Sequence, residues 1–356
     1  MKTDSLSPRL LRRLDRLYAR APIVRLGADD RLAVFSDLHL GDGGRDDDFA
    51  ANARLYQEAL SRYYSPRRFL LALNGDIEEL ARFPLAAIAT RWLGIYACWQ
   101  EFAGRGALFK LAGNHDLSLL RRRAADLPFP VGESLRVEIG EKRFWLFHGH
   151  QVSRLDWVFQ TLGALLLRWV LHPLGIGNYT VARSSRKRFN VEQRAYRYGR
   201  SRRIATCIGH THRPLFESLP RLDAVKIEIE SLVRRYPEAP AEEKPALGQR
   251  LARLKREHVE LQRREGRPGR EGLYGEGPLL PCLFNSGCGI GSNGVTAVEI
   301  DVRRVRLVYW FDRRRSEKYI AAEGYEPERL GDGDFYRVVL KEEDLDYIFT
   351  RINLLG

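Results

Sequence analysis

Five times in this chain a short apolar run stops at a cluster of carboxylate, amide or imidazole side chains. Leu32-Ala33-Val34-Phe35 leads into Ser36-Asp37-Leu38-His39. Residues 69–73 lead into Asn74-Gly75-Asp76, and residues 108–112 into Gly113-Asn114-His115-Asp116. Residues 144–147 lead into His148-Gly149-His150, and residues 204–208 into Gly209-His210-Thr211-His212. An apolar run of about four to six residues closed by Gly or Asp reads as a buried strand. Loops at strand ends are where open α/β sheets place their sites. Five such ends, if they converge, bring together Asp37, His39, Asp76, Asn114, His148, His210 and His212. That is enough oxygen and nitrogen to hold two divalent ions.

Residues 31–148 alternate strand-like and helix-like stretches, which predicts an α/β fold. The pattern predicts helices over 49–62 and 79–103, a hairpin over 137–147, and closing strands over 281–284, 295–300 and 305–311. A chain of 356 residues admits one large domain or two small ones, and 44% apolar residues are ample for a core.

Three segments stand apart from this pattern. Residues 1–24 read as a basic amphipathic helix rather than a signal peptide, with Ser7 as N-cap and Pro8 at the first helical position. Its leucine stripe could lie on an anionic membrane or pack on the domain. Residues 25–356 form the domain itself, with insertions at 151–202 and 221–277. The front of the first insertion is nearly all apolar and includes Trp157, Phe159 and Leu166. It falls short of the ~20 residues of a membrane span. Its back is strongly basic, from Arg183 and Arg186 onward, with Tyr179, Phe189, Tyr196 and Tyr198 interleaved. An apolar helix beside a basic one suits an amphiphile with acyl chains and phosphates; a cap with a small core of its own gives the same pattern. In the second insertion, the three-four spacing of Leu222, Val225, Ile229, Leu232 and Tyr236 recurs in Leu247, Leu251, Leu254, His258 and Leu261. This predicts an antiparallel helical hairpin.

Lys plus Arg number 59 and Asp plus Glu 46, a net charge of +13. Such a surface favours an anionic partner: a phosphorylated small molecule or lipid, nucleic acid, or an anionic membrane face. A merely solvated basic surface gives the same count. The four cysteines show no paired metal spacing, which suits reduced structural thiols in a cytoplasmic protein.

The order D-x-H, G-D, G-N-H-D, H, G-H-x-H across residues 37–212 resembles the calcineurin-like metallophosphoesterase superfamily. The resemblance implies a two-sheet sandwich flanked by helices, here with a helical cap and a helical hairpin inserted. It implies that Asp37, His39 and His212 hold one metal, that Asn114, His148 and His210 hold the other, and that Asp76 bridges both. A water between the cations would become the hydroxide nucleophile. Mixed carboxylate, amide and imidazole ligands suit Mn²⁺, with Fe²⁺ or Zn²⁺ as alternatives. By the same resemblance His115 stabilises or protonates the leaving oxygen and Asp116 orients its ring. Asp42, Asp46, Asp47 and Asp48 read as second-rank acids or a solvated loop, His150 as a support for His148 or a bystander, and Asn285-Ser286-Gly287 as an architectural turn.

Ile77-Glu78-Glu79-Leu80 after Asp76 lacks the Asp-Arg-Gly signature of the protein serine/threonine phosphatases. The Ser-Asp-Leu-His-Leu opening and the Gly-His-Thr-His-Arg-Pro ending look like the UDP-2,3-diacylglucosamine hydrolases. Those enzymes cleave a pyrophosphate in lipid A synthesis at the inner face of the membrane. They usually carry Arg in the place of His115 and Asp in the place of His150. The resemblance implies a peripheral location on that membrane, and the apolar-then-basic pattern of the first insertion, with Arg213 beside the last motif, makes Trp157, Phe159, Leu166, Arg183, Arg186 and Arg213 candidate substrate contacts. Two other classes remain open: a nuclease or phosphodiesterase acting on soluble nucleotides or nucleic acid, and a non-catalytic scaffold. Ligand completeness speaks against the last.

Overall fold

The computed structural model describes residues 6–153, 185–218, 221–265, 279–291, 294–320, 322 and 324–356. Among them two sheets pack face to face. The larger has eight strands, in the order β12 (Glu328–Arg329), β13 (Phe335–Asp344), β11 (Arg304–Asp312), β10 (Val295–Asp301), β2 (Arg31–Phe35), β3 (Leu70–Asn74), β4 (Leu108–Leu111) and β5 (Val131–Gly132). The smaller has five, in the order β1 (Ile23–Arg25), β6 (Ser134–Ile139), β7 (Lys142–Phe147), β8 (Ala205–Ile208) and β9 (Leu283–Asn285).

The apolar runs become strands at the centre of both sheets. β2 (Arg31–Phe35), β3 (Leu70–Asn74) and β4 (Leu108–Leu111) run parallel, with Leu32 opposite Leu70 and Leu71 opposite Leu108. In the other sheet β7 (Lys142–Phe147), β8 (Ala205–Ile208) and β9 (Leu283–Asn285) are also parallel. Side chains alternate along a strand. Leu32 and Val34 enter the core shared with the smaller sheet, alongside Phe144, Leu146 and Ile208. Ala33 and Phe35 enter a second core under α2 (Ala53–Ala59) and α4 (Leu93–Gly104), beside Tyr56, Trp99 and Phe102. Burial on both faces is why these runs are apolar throughout. β6 (Ser134–Ile139) pairs antiparallel with β7 as the predicted hairpin and parallel with β1 (Ile23–Arg25) at the sheet edge. β10 (Val295–Asp301), β11 (Arg304–Asp312) and β13 (Phe335–Asp344) close the larger sheet. In general terms this is the expected two-sheet sandwich flanked by helices.

The helices differ in detail from expectation. Residues 79–83 are not helical. Pro84, which has no N–H to give, caps α3 (Leu85–Arg91), and Trp92 breaks the chain before α4. The helix over 49–62 becomes a 3₁₀ turn, α2 and a π turn through Tyr64. α1 (Pro8–Arg20) starts as its Ser-Pro signal dictates, with Ser7 Oγ accepting from Leu10 N at 3.4 Å. Leu10 and Leu14 are buried in the inter-sheet core. The domain itself therefore covers the leucine stripe, at about 1.5–3 kcal/mol per buried leucine. Arg13 donates to the carbonyls of Gln151 and Ser153 and ties α1 to the loop after β7.

α5 (Ser185–Arg202) is the basic half of the first insertion. Its inner face, Val191, Ala195, Tyr196 and Tyr198, belongs to the same core. Trp157, Phe159, Leu166, His172 and Arg183 lie outside the described residues. α6 (Arg221–Arg235) and α7 (Lys244–Glu265) form the expected hairpin, sealed by Val225, Leu232, Leu247 and Leu254. Glu228 docks it by pairing with Lys341 of β13 at 3.2 Å. α8 (Leu345–Leu355) was not anticipated; Asp344 caps it, accepting from Asp346 N at 2.7 Å. All four cysteines are free. No helix among the described residues is long and apolar enough to cross a membrane.

Glu217 stores a pH dependence in this frame. Its backbone is left-handed, at φ 54°, and its Oε1 is buried without a hydrogen-bond partner. Burial first, and the Glu343 carboxylate second, push its carboxyl up to about 7. A raised carboxyl binds its proton more tightly in the folded chain. Folding is then unpenalised below the unfolded value near 4.5 and loses stability as pH rises to about 7. Glu217→Gln should be more stable than the parent by about 1–3 kcal/mol at about pH 8 and nearly equal to it at about pH 4.5. Urea unfolding at both pH values measures this; a gain of the same size at both would refute it.

Candidate metal centre

The ends of β2, β3, β4, β7 and β8 meet along one edge of the sandwich, and the seven ligand-type residues meet there with them. Five of the seven have left-handed backbones: Asp37 at φ 53°, His39 at 51°, Asp76 at 52°, His210 at 66° and His212 at 54°. Such conformations in non-glycine residues cost of order 1–3 kcal/mol and persist only where surrounding structure enforces them. Here main-chain bonds between loops do so. Asp37 N donates to Gly75 O and His39 N to Asp76 O, both at 3.0 Å, and Gly289 N donates to Asp37 O at 3.0 Å. Gly113 and Gly209 are required by close approach. A Cβ on Gly113 would lie 2.1 Å from Asp76 Oδ1, and one on Gly209 would lie 2.4 Å from Asp37 Oδ2.

Three groupings of ligand atoms result among the described residues: two are clusters of the expected ligands, Asp37 with His39 and His212 and Asp76 with His148 and His210, and the third joins His39 to Glu79 and His115. Within each, the ligand atoms lie within 4.8 Å of one another. In the first, His39 Nε2 and His212 Nε2 are 3.2 Å apart, and His212 Nε2 is 3.2 Å from Asp37 Oδ1. Asp76 Oδ2 faces both clusters, at 3.9 Å from His39 Nε2 and 3.1 Å from His148 Nε2. Its Oδ1 accepts from His115 N at 2.8 Å.

The donor atoms fit divalent cations by an independent criterion. Asn114 Oδ1, His148 Nε2 and His210 Nε2 are buried without a hydrogen-bond partner. A buried orphan costs about 1–3 kcal/mol, and three together call for a common partner. His148 donates Nδ1–H to Asn74 O at 2.9 Å, which leaves its Nε2 lone pair free. Burial works against ionisation of Asp37 and Asp76, but attraction to the His148 ring outweighs it, with His212 helping at Asp37 and His115 at Asp76. Both carboxyls stay below their usual range and are ready anionic ligands. These clusters support a metal-dependent hydrolase function in general terms.

The neighbours of the centre differ from expectation in two places. Asp116 does not orient His115: its oxygens accept from Ile77 N at 2.8 Å and from Gly113 N, so it braces the two loops. The ring of His115 is held instead by Glu79, whose Oε1 lies 2.7 Å from His115 Nδ1. Glu79 Oε2 lies 2.9 Å from His39 Nδ1. The one sign of Glu79 in the sequence is an acidic residue three positions beyond Asp76. Arg213, expected at the substrate, pairs with Glu192 of α5, donating Nε at 3.2 Å and a second bond through its terminal nitrogen. Glu192 also accepts from Thr211 Oγ1 at 2.9 Å. Arg186 lies in α5 with only its backbone position described.

The remaining candidates are supporting groups. Asp47 caps a turn through Gly43 N at 2.8 Å and Phe49 N at 3.0 Å, which is structural work away from the clusters. His150 is buried with its ring centroid 5.6 Å from that of His148, outside both clusters. Asn285 donates to Gly209 O at 3.0 Å and Thr211 Oγ1 at 2.9 Å, so the Asn-Ser-Gly turn fastens the His-Thr-His loop.

No protein-family model matches the chain, and no curated protein matches it. Among solved structures, it is similar to a conserved uncharacterized protein from Streptococcus pneumoniae TIGR4, described as a predicted phosphoesterase. Identity is 14%, the match covers 88% of this chain and 97% of that one, and the TM-score is 0.31.

Proposed function

We propose that this chain is a phosphoesterase of the calcineurin-like metallophosphoesterase type that hydrolyses a phosphodiester or pyrophosphate with two divalent cations. The observation that carries the reading is Asp76 Oδ2, set between His39 and His148, with three further donor atoms left unpartnered around it. Asp37, His39 and His212 would hold one cation, and Asn114, His148 and His210 the other, with Asp76 shared. Bound there, two cations supply Lewis-acid charge on the phosphoryl group and a water activated as nucleophile at neutral pH. His115 stands beside Asn114 with its Nδ1 engaged by Glu79, and its other edge is free to meet the leaving oxygen. Mn²⁺ is the leading cation for this donor set, with Fe²⁺ and Zn²⁺ behind it.

For the substrate, the proposal is a nucleotide-linked or phosphorylated lipid resembling UDP-2,3-diacylglucosamine, met at an anionic membrane surface. Support comes from the apolar-then-basic order of the first insertion and the net charge of +13. The test compares a lipid-linked pyrophosphate, acyl-free nucleotides, single-stranded DNA and an aryl phosphodiester, each with Mn²⁺ and with chelator. Phe159→Asp with Leu166→Asp should raise KM for the lipid and leave the aryl substrate little changed. Equal effects on both, or preference for acyl-free nucleotides or DNA, would discard the lipid. Activity that survives full demetallation would discard the phosphoesterase reading itself.

A further inference from the structure

β10 runs antiparallel to both β2 and β11, so the C-terminal ends of β2 and β11 lie at the same edge of the larger sheet. Two strand spacings separate them, about 10 Å across the sheet. At the β11 end a cleft opens between the start of α2 and the β11–β13 pair. Arg54, Arg314 and Arg315 line it over an apolar floor of Leu55 and Phe335. Each guanidinium is held by a different group. Arg54 stands over the Phe335 ring, 5.9 Å from its centroid. Arg315 donates to Ala51 O at 2.6 Å. Arg314 forks onto Asp312, with Nε 3.0 Å from one oxygen and a terminal nitrogen 2.7 Å from the other. Asp334, 3.4 Å from Arg314 Nε, is drawn to the same side chain. The one carboxylate in the lining thus has both oxygens covered by Arg314. Arg54 and Arg315 make no ion pair among the described residues and stay exposed at the mouth of the cleft.

We propose that this cleft is a second anion site, which takes a dianionic phosphoryl group on Arg54 and Arg315 with Arg314 beside them. Like charges gathered in one cleft repel each other until an anion is shared between them. Two guanidiniums without carboxylates match a dianion better than a carboxylate ligand. A phosphomonoester carries a charge of about −1.5 to −2 at neutral pH, and its oxygens suit planar guanidinium forks. The inner wall of the cleft is tied to the metal centre. Asn52, buried there, donates to Gly289 O at 2.9 Å and Gly291 O at 2.7 Å, and Gly289 N donates to Asp37 O at 3.0 Å. The phosphoryl group has two possible sources: free inorganic phosphate, or the terminal phosphate of a substrate whose scissile bond lies at the cations. Binding in the cleft stands by itself; its effect on turnover rests on the phosphoesterase reading above.

The test is calorimetry of the full chain with inorganic phosphate, in chelator so that cations contribute nothing, with thermal unfolding as the check on the fold. Arg54→Gln with Arg315→Gln should weaken phosphate binding ~10-fold or more. Arg12→Gln with Arg16→Gln removes the same net charge from α1 and should leave it unchanged. Acetate, a single charge, should bind the parent at least ~10-fold more weakly than phosphate. With Mn²⁺ restored, a nitrophenyl diester bearing a terminal phosphate is compared with the same diester lacking it. A KM that rises ~10-fold in the Arg54/Arg315 variant for the phosphate-bearing diester alone assigns the cleft to the substrate. A kcat for the plain diester that shifts on adding phosphate, in the parent and not in that variant, assigns it to free phosphate. Phosphate bound equally by parent and variant, acetate bound as well as phosphate, or turnover that shows neither response would overturn the proposal. If the parent hydrolyses no diester while phosphate binding responds as expected, the phosphoesterase reading fails and the anion site stands.

Discussion

Asp76→Asn is expected to strip both cations from the centre and to lower hydrolysis of an aryl phosphodiester by ~10³-fold or more. The geometry explains why so small a change does so much. One oxygen of Asp76 accepts from His115 N, and an asparagine carbonyl can keep that bond, so the loop survives. The other oxygen faces His39 and His148. An asparagine turns an NH₂ toward those imidazoles, replacing a shared anion by a neutral donor that competes for the lone pairs a cation needs. Elemental analysis after gel filtration and a rate measured with excess Mn²⁺ check the two halves. A variant that keeps its metal complement would show that Asp76 is not the shared ligand.

His115→Ala is expected to separate chemistry from metal binding. Turnover should fall by ~10²–10⁴-fold with an alkyl or phenyl leaving group. Metal content should stay near that of the parent, because Asp76, His39 and His148 keep their own contacts. Leaving groups that depart without a proton should suffer much less. Loss of metal in this variant would mean that His115 is a ligand; a leaving-group-independent loss would mean that it acts on the substrate in some other way.

The strands and the metal-type residues were legible because each carries its own local sign. A strand buried on both faces is apolar at every position, and Leu32 through Phe35 show it. The ligands sit immediately after such runs, so their convergence needs only parallel pairing. Pairings over long range left no such sign. Glu79 meets partners 40 and 36 residues away, and Glu192 meets Thr211 and Arg213 from another element. In the sequence both look like ordinary surface acids. The stripe of α1 showed that something covers it and not what; Leu10 and Leu14 in the core supply the answer. α8 carries a readable stripe in Leu345, Ile348, Phe349 and Ile352, all buried, behind its Asp344 cap.

The joint between α5 and the His-Thr-His loop limits how this architecture can vary. Glu192 is fully buried, and its carboxylate is shared by Thr211, the residue between two ligands, and Arg213 just after them. An insertion hung on a fold by its ends alone could be exchanged as a cassette for another specificity. This one cannot. A transplanted insertion without an acid at that place would leave the buried Thr211 hydroxyl without its acceptor and release Arg213 to solvent, and a transplanted loop without Arg213 would leave the buried Glu192 carboxylate unpaired. α5 and the His-Thr-His loop are thus expected to tolerate change only together.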